Sequence, residues 1–135
     1  MIRKAHFNEW KYAKEINEKC LPENYSSEFW KGIYSQFSDI QFVIEVPSCS
    51  KIVGYITGVL ENYSFQPLNK DEDEIQDTEK KYKIHIYSFA VLPEYRSQKL
   101  GLELLKQLCK YAKERGDVHV IDLTVRVSNE KALNL

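Results

Sequence analysis

The sequence has almost no net charge and no long apolar run. Its 19 lysine and arginine residues nearly balance 20 aspartate and glutamate residues, which leaves a formal charge of −1. Such a balance provides no overall field that would attract nucleic acid or an anionic membrane. The residues after Met1 lack the apolar stretch of a signal peptide, and no segment approaches the ~20 apolar residues of a membrane span. We therefore expect a cytoplasmic protein that binds neither nucleic acid nor membrane directly.

Cysteine is also scarce. Cys20, Cys49 and Cys109 are odd in number and lack the spacing of metal ligands, which predicts reduced thiols and no bound metal. With neither disulfides nor a metal, the fold has to depend on an apolar core. A chain of 135 residues is long enough to bury one. We expect a single domain over residues 1–135.

The first 60 residues predict one strand, two helices and a hairpin. After a short strand at residues 2–4, Asn8 and Ser26 are expected to cap two helices with apolar residues at helical spacing. Two β-branched, apolar segments then flank a turn at residues 47–50, as in a β-hairpin.

The second half predicts a strand, a long helix and a last strand. A polar loop over residues 61–81 precedes a strand over 82–91, a helix over about 101–115 and a strand over 118–127. A further helix is expected to begin at Asn129. The order β-α-α-β-β-β-α-β-α describes an α/β domain around a mixed sheet.

The strand over residues 82–91 is apolar on both faces, which is typical of a central, covered strand. Gly54 and Gly58 in the preceding strand mark candidate bulges. A period of two divides the side chains of the central strand into one face with His85, Tyr87, Phe89 and Val91 and another with Ile84, Ile86, Ser88 and Ala90.

The turn at residues 93–101 joins this strand to the long helix. At such a junction several backbone N–H groups lack partners, and the helix dipole together with Arg96 favours negative charge, so a pyrophosphate would fit. The turn has neither the Gly-Lys-Ser/Thr ending of a P-loop nor the three glycines of a dinucleotide fingerprint. Both of those nucleotide-binding motifs are therefore excluded.

The same turn resembles the acetyl-CoA motif of the GNAT superfamily, whose core is Arg/Gln-x-x-Gly-x-Gly/Ala. Arg96 and Gly101 match the ends of this core, and Lys99 stands where its first glycine is expected. Flanking apolar positions that also match are Val91, Leu104, Leu105 and Leu108. The resemblance implies the GNAT (acyl-CoA N-acyltransferase) fold, a mixed central sheet flanked by helices, and acetyl-CoA as cosubstrate.

The resemblance also implies where the cosubstrate binds. The end of the strand is expected to bond the pantetheine arm through its main chain, and the turn to hold the pyrophosphate. The residues implied are Phe89, Ala90 and Val91 on the strand, and Arg96, Ser97, Gln98, Lys99, Leu100, Gly101 and Leu102 at the turn and helix. Asn129 matches the asparagine that commonly contacts coenzyme A in the family.

Two other segments resemble the catalytic subunits of NatA-type protein N-terminal acetyltransferases. Residues 21–25 are similar to their substrate loop and residues 51–55 to their hairpin strand, whereas residues 125–129 look more like the NatB catalytic subunit. This implies acetyl transfer to the N-terminal α-amine of a protein or nascent chain, by direct attack in a ternary complex. It also implies an auxiliary subunit and the ribosome as partners. The substrate-binding residues implied are Leu21, Pro22 and Tyr25.

The reaction requires an amine with a pKa near ~8 to lose a proton, which a histidine or a water molecule held by glutamate can accept. His85 and Glu23 match such positions in the family and are the candidate catalytic residues. Each has an alternative role. His85 also fits a structural sheet histidine, and Glu23 a surface charge at a helix end.

The C-terminus departs from the family pattern. In the family, the segment around Asn129 continues into a helix and two strands, whereas this sequence stops at Leu135. A C-terminally short domain with an exposed sheet edge is expected to pair, for example as a dimer. Two other functions remain open. One is a GNAT enzyme that acetylates lysine side chains or a small-molecule amine, and the other is a noncatalytic module that binds coenzyme A or a partner.

Overall fold

The computed structural model describes residues 1–63 and 80–123. In this part of the chain the elements follow the predicted order. They are β1 (Ile2–Lys4), α1 (Trp10–Cys20), α2 (Ser27–Gln36), β2 (Phe42–Val46), β3 (Lys51–Asn62), β4 (Tyr82–Val91), α3 (Leu100–Arg115) and β5 (Val118–Leu123). The helix predicted from Asn129 and most of the predicted polar loop lie outside the described residues. Among the described helices, none is long and apolar enough to cross a membrane.

The strands form one mixed sheet in the order β1-β2-β3-β4-β5. Neighbouring strands from β1 to β4 are antiparallel, and β5 joins β4 in parallel after the α3 crossover. Helix α1 covers the face that carries Tyr55 and Ser88, because Asn17 Nδ2 donates to both hydroxyl groups at 3.0 Å. Helix α3 packs on the other face and contacts all five strands. The predicted mixed sheet flanked by helices is confirmed.

The two helix starts differ in how they are capped. Ser26 caps α2 as predicted, since its Oγ accepts the N–H of Phe29 at 3.2 Å. The prediction that Asn8 caps α1 is wrong, because Asn8 lies inside a 3₁₀ turn that precedes the helix. In that turn the carboxylate of Glu9 receives two bonds of 2.8 Å from Arg3 of β1. The entry to α1 is thus tied to the first strand by an ion pair.

Strand β3 is longer than predicted. Glu61, expected to begin the polar loop, lies in the strand and pairs across the sheet with Lys83 at 3.5 Å. The strand ends at Asn62. Strand β5 ends at Leu123 in the described part, so its predicted continuation to residue 127 lies outside the described residues.

A register shift divides the β3–β4 pair. Thr57 pairs with Ser88, but the next residue, Gly58, pairs with Ile86, so Tyr87 is an extra residue in β4. This is a β-bulge. Facing residues of paired strands share a face, and neighbours along β3 alternate, so Ser88 and Ile86 lie on opposite faces although they are two residues apart.

The bulge corrects the predicted division of β4 into faces. His85, Ser88 and Ala90 lie on the face toward α1 and α2, and Tyr87 contacts the rings of Tyr25 and Phe29 on that side as well. The residues on the face toward α3 are Ile84, Ile86, Phe89 and Val91. The expectation that Phe89 and Val91 share a face with His85 was wrong, because a strict period of two leaves no place for an extra residue.

Both glycines expected to mark bulges lie beside register shifts, as predicted. At Gly54, a Cβ atom would lie 2.7 Å from Cδ1 of Ile44 and 3.2 Å from the carbonyl oxygen of Ala90. At Gly58, it would lie 3.2 Å from the carbonyl oxygen of His85. Strands β2, β3 and β4 approach closely at these positions because the side chain is absent.

Gln41 fixes β3 next to the Tyr87 bulge. Its side chain is fully buried. Oε1 accepts hydrogen bonds from Oγ1 of Thr57 at 2.5 Å and from the N–H of Gly58 at 3.2 Å. Nε2 donates to the carbonyl groups of Gly58 at 2.7 Å and Phe37 at 2.9 Å. One amide therefore satisfies polar groups on both sides of the register shift.

We expect the Gln41→Leu variant to lower the free energy of unfolding by about 3 kcal/mol, because several buried groups of Thr57, Gly58 and Phe37 lose their partner. Urea denaturation measures this change. Gln36→Leu is the control, since Gln36 is exposed at the end of α2 and its replacement should change stability by less than about 0.5 kcal/mol. Equal effects of the two substitutions would show that the Gln41 bonds do not stabilise the sheet.

Candidate active site

His85 lies on β4 and faces α1 and α2, with a side chain that is 21% exposed. Its Nδ1 is in hydrogen-bond contact with Oδ1 of Asp122, the residue opposite it in β5. Because an ionised carboxylate only accepts hydrogen bonds, the neutral form of the ring carries its proton on Nδ1 and its lone pair on Nε2. In this form Nε2 can act as a proton acceptor.

Asp122 is held from both sides. Its Oδ2 lies 3.4 Å from Nζ of Lys83, and Lys83 lies 3.5 Å from Glu61 on β3. The hydrogen bond from His85 lowers the pKa of Asp122, and Lys83 lowers it further. The carboxylate is therefore ionised at neutral pH. Glu61, Lys83 and Asp122 thus form a row of negative, positive and negative charge that ends beside His85.

His85 and three other rings form a half-buried cluster. Tyr87, the bulge residue, lies edge-on to His85 with ring centroids 4.8 Å apart. On the helix side, Tyr87 contacts Phe29 at 5.3 Å and Tyr25 at 6.2 Å. Tyr25 and Phe29 stack with centroids 4.3 Å apart. We call His85, Tyr87, Tyr25 and Phe29 the aromatic cluster.

The segment between α1 and α2 brings Tyr25, one of the three predicted substrate residues, into this cluster. Leu21 caps α1, with its N–H bonded to the carbonyl of Asn17 at 2.9 Å. Pro22 is exposed and Leu21 is half-buried. Burial raises the pKa of Tyr25, and the neighbouring Glu23 carboxylate raises it further. Glu23 and His85, the two predicted catalytic residues, thus lie around the same cluster.

The end of β4 leads into the predicted cosubstrate turn. The carbonyl of Val91 accepts a bond from Nε of Arg96 at 2.8 Å, and Sγ of Cys20 lies 3.9 Å from the same oxygen. A 3₁₀ helix, Pro93–Gln98, follows directly. Arg96 therefore closes the turn onto the strand end, and one lone pair of the Val91 carbonyl is already engaged.

Lys99 is the N-cap residue that precedes α3, and its backbone lies in the left-handed region, with φ 57° and ψ 28°. This explains why the motif has glycine here, since a side chain in this conformation costs about 1 kcal/mol. The first bond of the helix runs from the N–H of Glu103 to the carbonyl of Lys99 at 3.2 Å. The N–H groups of Leu100, Gly101 and Leu102 therefore have no partner within the helix. With the helix dipole and the exposed Lys99, they suit a pyrophosphate.

Asn129, one of the predicted cosubstrate residues, lies outside the described residues. His6 and His119, which were given no role, are exposed. Phe89 pairs with Ile56 of β3 and points toward α3, so only its main chain is available for the role expected of it.

Sequence reasoning missed two residues of the site, Asp122 and Tyr87. Tyr87 was placed on the face of His85, but its position in a bulge depends on the pairing with β3. Asp122 was assigned only to the last strand. The sequence did contain a signal for Asp122. Helix α3 connects β4 to β5, and strands joined by such a crossover are usually neighbours, so His85 and Asp122 could be expected on adjacent strands.

The described cysteines are not linked. Cys20, Cys49 and Cys109 are free thiols, with Cys49 and Cys109 exposed. Within residues 1–63 and 80–123, no three histidine, cysteine, aspartate or glutamate side chains are grouped as metal ligands would be.

Comparison with known proteins gives relatives along nearly the whole chain. An N-alpha-acetyltransferase of Sulfurisphaera tokodaii is 34% identical over 134 residues, which cover 99% of this chain and 75% of that protein. The NAA20 catalytic subunit of the N-terminal acetyltransferase B complex of Arabidopsis thaliana is 25% identical, with 99% and 68% covered. This chain spans about two thirds to three quarters of the length of these relatives.

A solved structure and a family model agree with these relatives. The crystal structure of Chaetomium thermophilum Naa20 in complex with a bisubstrate analogue superimposes with a TM-score of 0.74 and 26% identity, over 99% of this chain and 66% of that one. The model of the acetyltransferase (GNAT) family matches residues 10–135. Because the family model matches residues 10–135 and a relative is 34% identical over 99% of the chain, this chain belongs to the GNAT family of acetyltransferases.

Proposed function

We propose that this protein transfers the acetyl group of acetyl-CoA to the N-terminal α-amine of proteins. The observation that carries the proposal is the position of His85. Its Nε2 is a free acceptor on the aromatic cluster, and its strand ends at the turn suited to a pyrophosphate. The relative that is 34% identical is an N-alpha-acetyltransferase, which supports the same reaction.

Acetyl-CoA fits the turn and the start of α3. The N–H groups of Leu100, Gly101 and Leu102 would hold its pyrophosphate, with Lys99 and the helix dipole adding positive charge. The main chain of residues 89–91 would bond the pantetheine arm, and Arg96, Ser97, Gln98 and Asn129 complete the set that the family resemblance implies. When bound, the cosubstrate supplies an activated thioester.

His85 is the proton acceptor for the substrate amine. An α-ammonium with a pKa near ~8 is mostly protonated at neutral pH, so it has to lose a proton before it can attack. Nε2 of His85 takes this proton directly, or through a water molecule that Glu23 helps to hold. The amine then forms a bond with the thioester carbonyl carbon as the carbon–sulfur bond breaks, and coenzyme A leaves as a thiolate that takes up the proton lost by the amide nitrogen. Transfer is direct, without an acyl-enzyme.

The substrate N-terminus lies between the α1–α2 segment and β4. Leu21, Pro22 and Tyr25 line this side, and Tyr25 belongs to the aromatic cluster that contains His85. A first residue packed against these side chains would have its amine close to the catalytic histidine. The same surface would thus bind the first side chain of the substrate and place its amine for deprotonation by His85.

We place the reaction in the cytoplasm, on nascent chains at the ribosome, with the chain acting as one domain beside an auxiliary subunit or as a dimer. The Arabidopsis relative is named as the catalytic subunit of a complex, which supports an auxiliary subunit. Charge balance supports binding to protein partners, since the chain carries no excess of positive charge for nucleic acid.

The first test measures acetyl transfer from labelled acetyl-CoA to peptides that begin with Ser or Ala, Met-Glu and Met-Leu, and to an α-blocked lysine peptide. We expect transfer to at least one free N-terminus and none to the blocked peptide. The preferred first residues then define the substrate class. Transfer to the blocked lysine peptide alone would contradict the proposal and favour a lysine acetyltransferase.

A second test replaces the catalytic residues. We expect His85→Ala and Glu23→Ala each to lower kcat/KM by about 100-fold, because general base catalysis supplies factors of about 10²–10⁴. His119→Ala and Glu28→Ala are the controls, since both side chains are exposed outside the site. If the His85 and His119 variants retain equal activity, His85 is not the base.

A third test compares Lys99→Gly with Lys99→Ala. Both remove the ammonium, but only glycine adopts the left-handed backbone freely, so the Gly variant should be more stable by about 1 kcal/mol. Both should weaken coenzyme A binding by about two- to fivefold, as expected for one exposed charge pair. Lys99→Arg is the charge-retaining control. Unchanged binding in all three variants, measured by calorimetry, would exclude a phosphate contact from Lys99.

A further inference from the structure

We propose that Asp122 is a positioning residue, which fixes the His85 ring in the tautomer and orientation that leave Nε2 free for the substrate amine. This inference rests on the proposed function, because it assigns a role within the same site. It adds a residue that no motif in the sequence marked.

The geometry of the pair supports this role. His85 and Asp122 are opposite each other in the parallel β4–β5 ladder, and the contact joins Nδ1 to Oδ1. The second oxygen of Asp122 faces Lys83, 3.4 Å away, and Lys83 is in turn paired with Glu61 at 3.5 Å. Each carboxylate oxygen therefore has its own partner. The carboxylate is held in one orientation, and so is the ring.

The contact determines which nitrogen can act. A neutral imidazole carries its proton on one of two nitrogens, and only the other can accept a proton. Asp122 can accept but not donate, so it selects the tautomer with the proton on Nδ1. When Nε2 takes the proton of the substrate amine, the ring becomes positive directly beside the negative carboxylate. Asp122 thus orients the base and stabilises the form that the reaction produces.

Other titratable groups surround His85 from the elements packed on it. Tyr87 of β4 contacts the ring, and Tyr25, with Glu23 beside it, approaches from the α1–α2 segment. From β3, Glu61 acts through Lys83. Among the residues that the structure describes, Asp122 is the one whose carboxylate contacts a ring nitrogen.

A purely structural role for Asp122 has different consequences. The pair could simply tie β5 to β4, in which case its loss would lower stability and activity together. The side chain of Asp122 is 40% exposed, however, and ion pairs at such positions contribute little to stability. We therefore expect Asp122→Asn to unfold at nearly the same temperature as the wild type and to differ mainly in catalysis.

The experiment compares Asp122→Asn with a matched control, Asp117→Asn, in the 135-residue chain. Asp117 precedes β5 and pairs with Arg115 at 2.6 Å, away from His85. With the peptide that the wild type prefers, we expect Asp122→Asn to lower kcat by about tenfold or more with little change in KM, because part of the base contribution is lost. Asp117→Asn should retain wild-type kcat, and Asp122→Glu should recover part of the loss. Equal losses in both asparagine variants would overturn the proposal.

A double-mutant cycle tests whether Asp122 acts through His85. In the His85→Ala background, adding Asp122→Asn should change kcat by less than about twofold, since there is no ring left to position. If Asp122→Asn costs the same factor with and without His85, Asp122 has an independent role, and the proposal is wrong.

A spectroscopic measurement separates this inference from the proposed function. With ¹⁵N-labelled histidine, the chain gives signals from three residues, His6, His85 and His119, which single substitutions assign. We expect the Nδ1–H tautomer for His85 in the wild type and a mixture in Asp122→Asn. If the wild type acetylates no peptide, but the tautomer of His85 still differs between the wild type and Asp122→Asn, the proposed function is wrong and the pairing of His85 with Asp122 stands. A His85 signal that is the same in both proteins would overturn the inference even in an active enzyme.

Discussion

Three hydrogen bonds between the buried amide of Gln41 and residues Thr57 and Gly58 hold β3 in place beside the register shift on which the site depends. The register leaves Tyr87 as an extra residue in β4, and the bulge brings His85 and Ser88 onto the same face. Ser88 binds Asn17 of α1 there, while His85 is directed toward the segment that follows this helix. In a regular strand these two side chains would point in opposite directions. The bulge thus allows one strand both to anchor a helix through Ser88 and to place His85 on the same face.

The site relies on local charge and not on an overall field. The chain is almost neutral, and its polar groups act in small sets, such as the alternating charges of Glu61, Lys83 and Asp122 beside His85 and the N–H groups at the start of α3. The two sets belong to the two halves of the proposed reaction, with a proton removed at one and an anionic cosubstrate held at the other. Strand β4 connects them, because it carries His85 in its first half and runs into the turn at Val91.

Most elements could be predicted from the sequence because their apolar periods are local. Strand β4 has its predicted bounds, and α3 ends at Arg115 as predicted. The site was predicted only in part. His85 and Glu23 came from a family resemblance, whereas the bulge at Tyr87 and the partner Asp122 depend on how strands pair. Register is a property of two segments together, and neither segment alone contains it.

The α3 crossover also affects when the site can exist. His85 and Asp122 are 37 positions apart, and they meet only after the helix between their strands has packed and β5 has paired in parallel. Contacts of this kind form slowly, because the chain loses loop entropy before the contact compensates for it. A partly folded molecule with β1 to β4 in place would hold much of the apolar core and have no oriented histidine. Local separation of β5 from β4 would have the same effect, so the His85–Asp122 pair would be lost well before the fold.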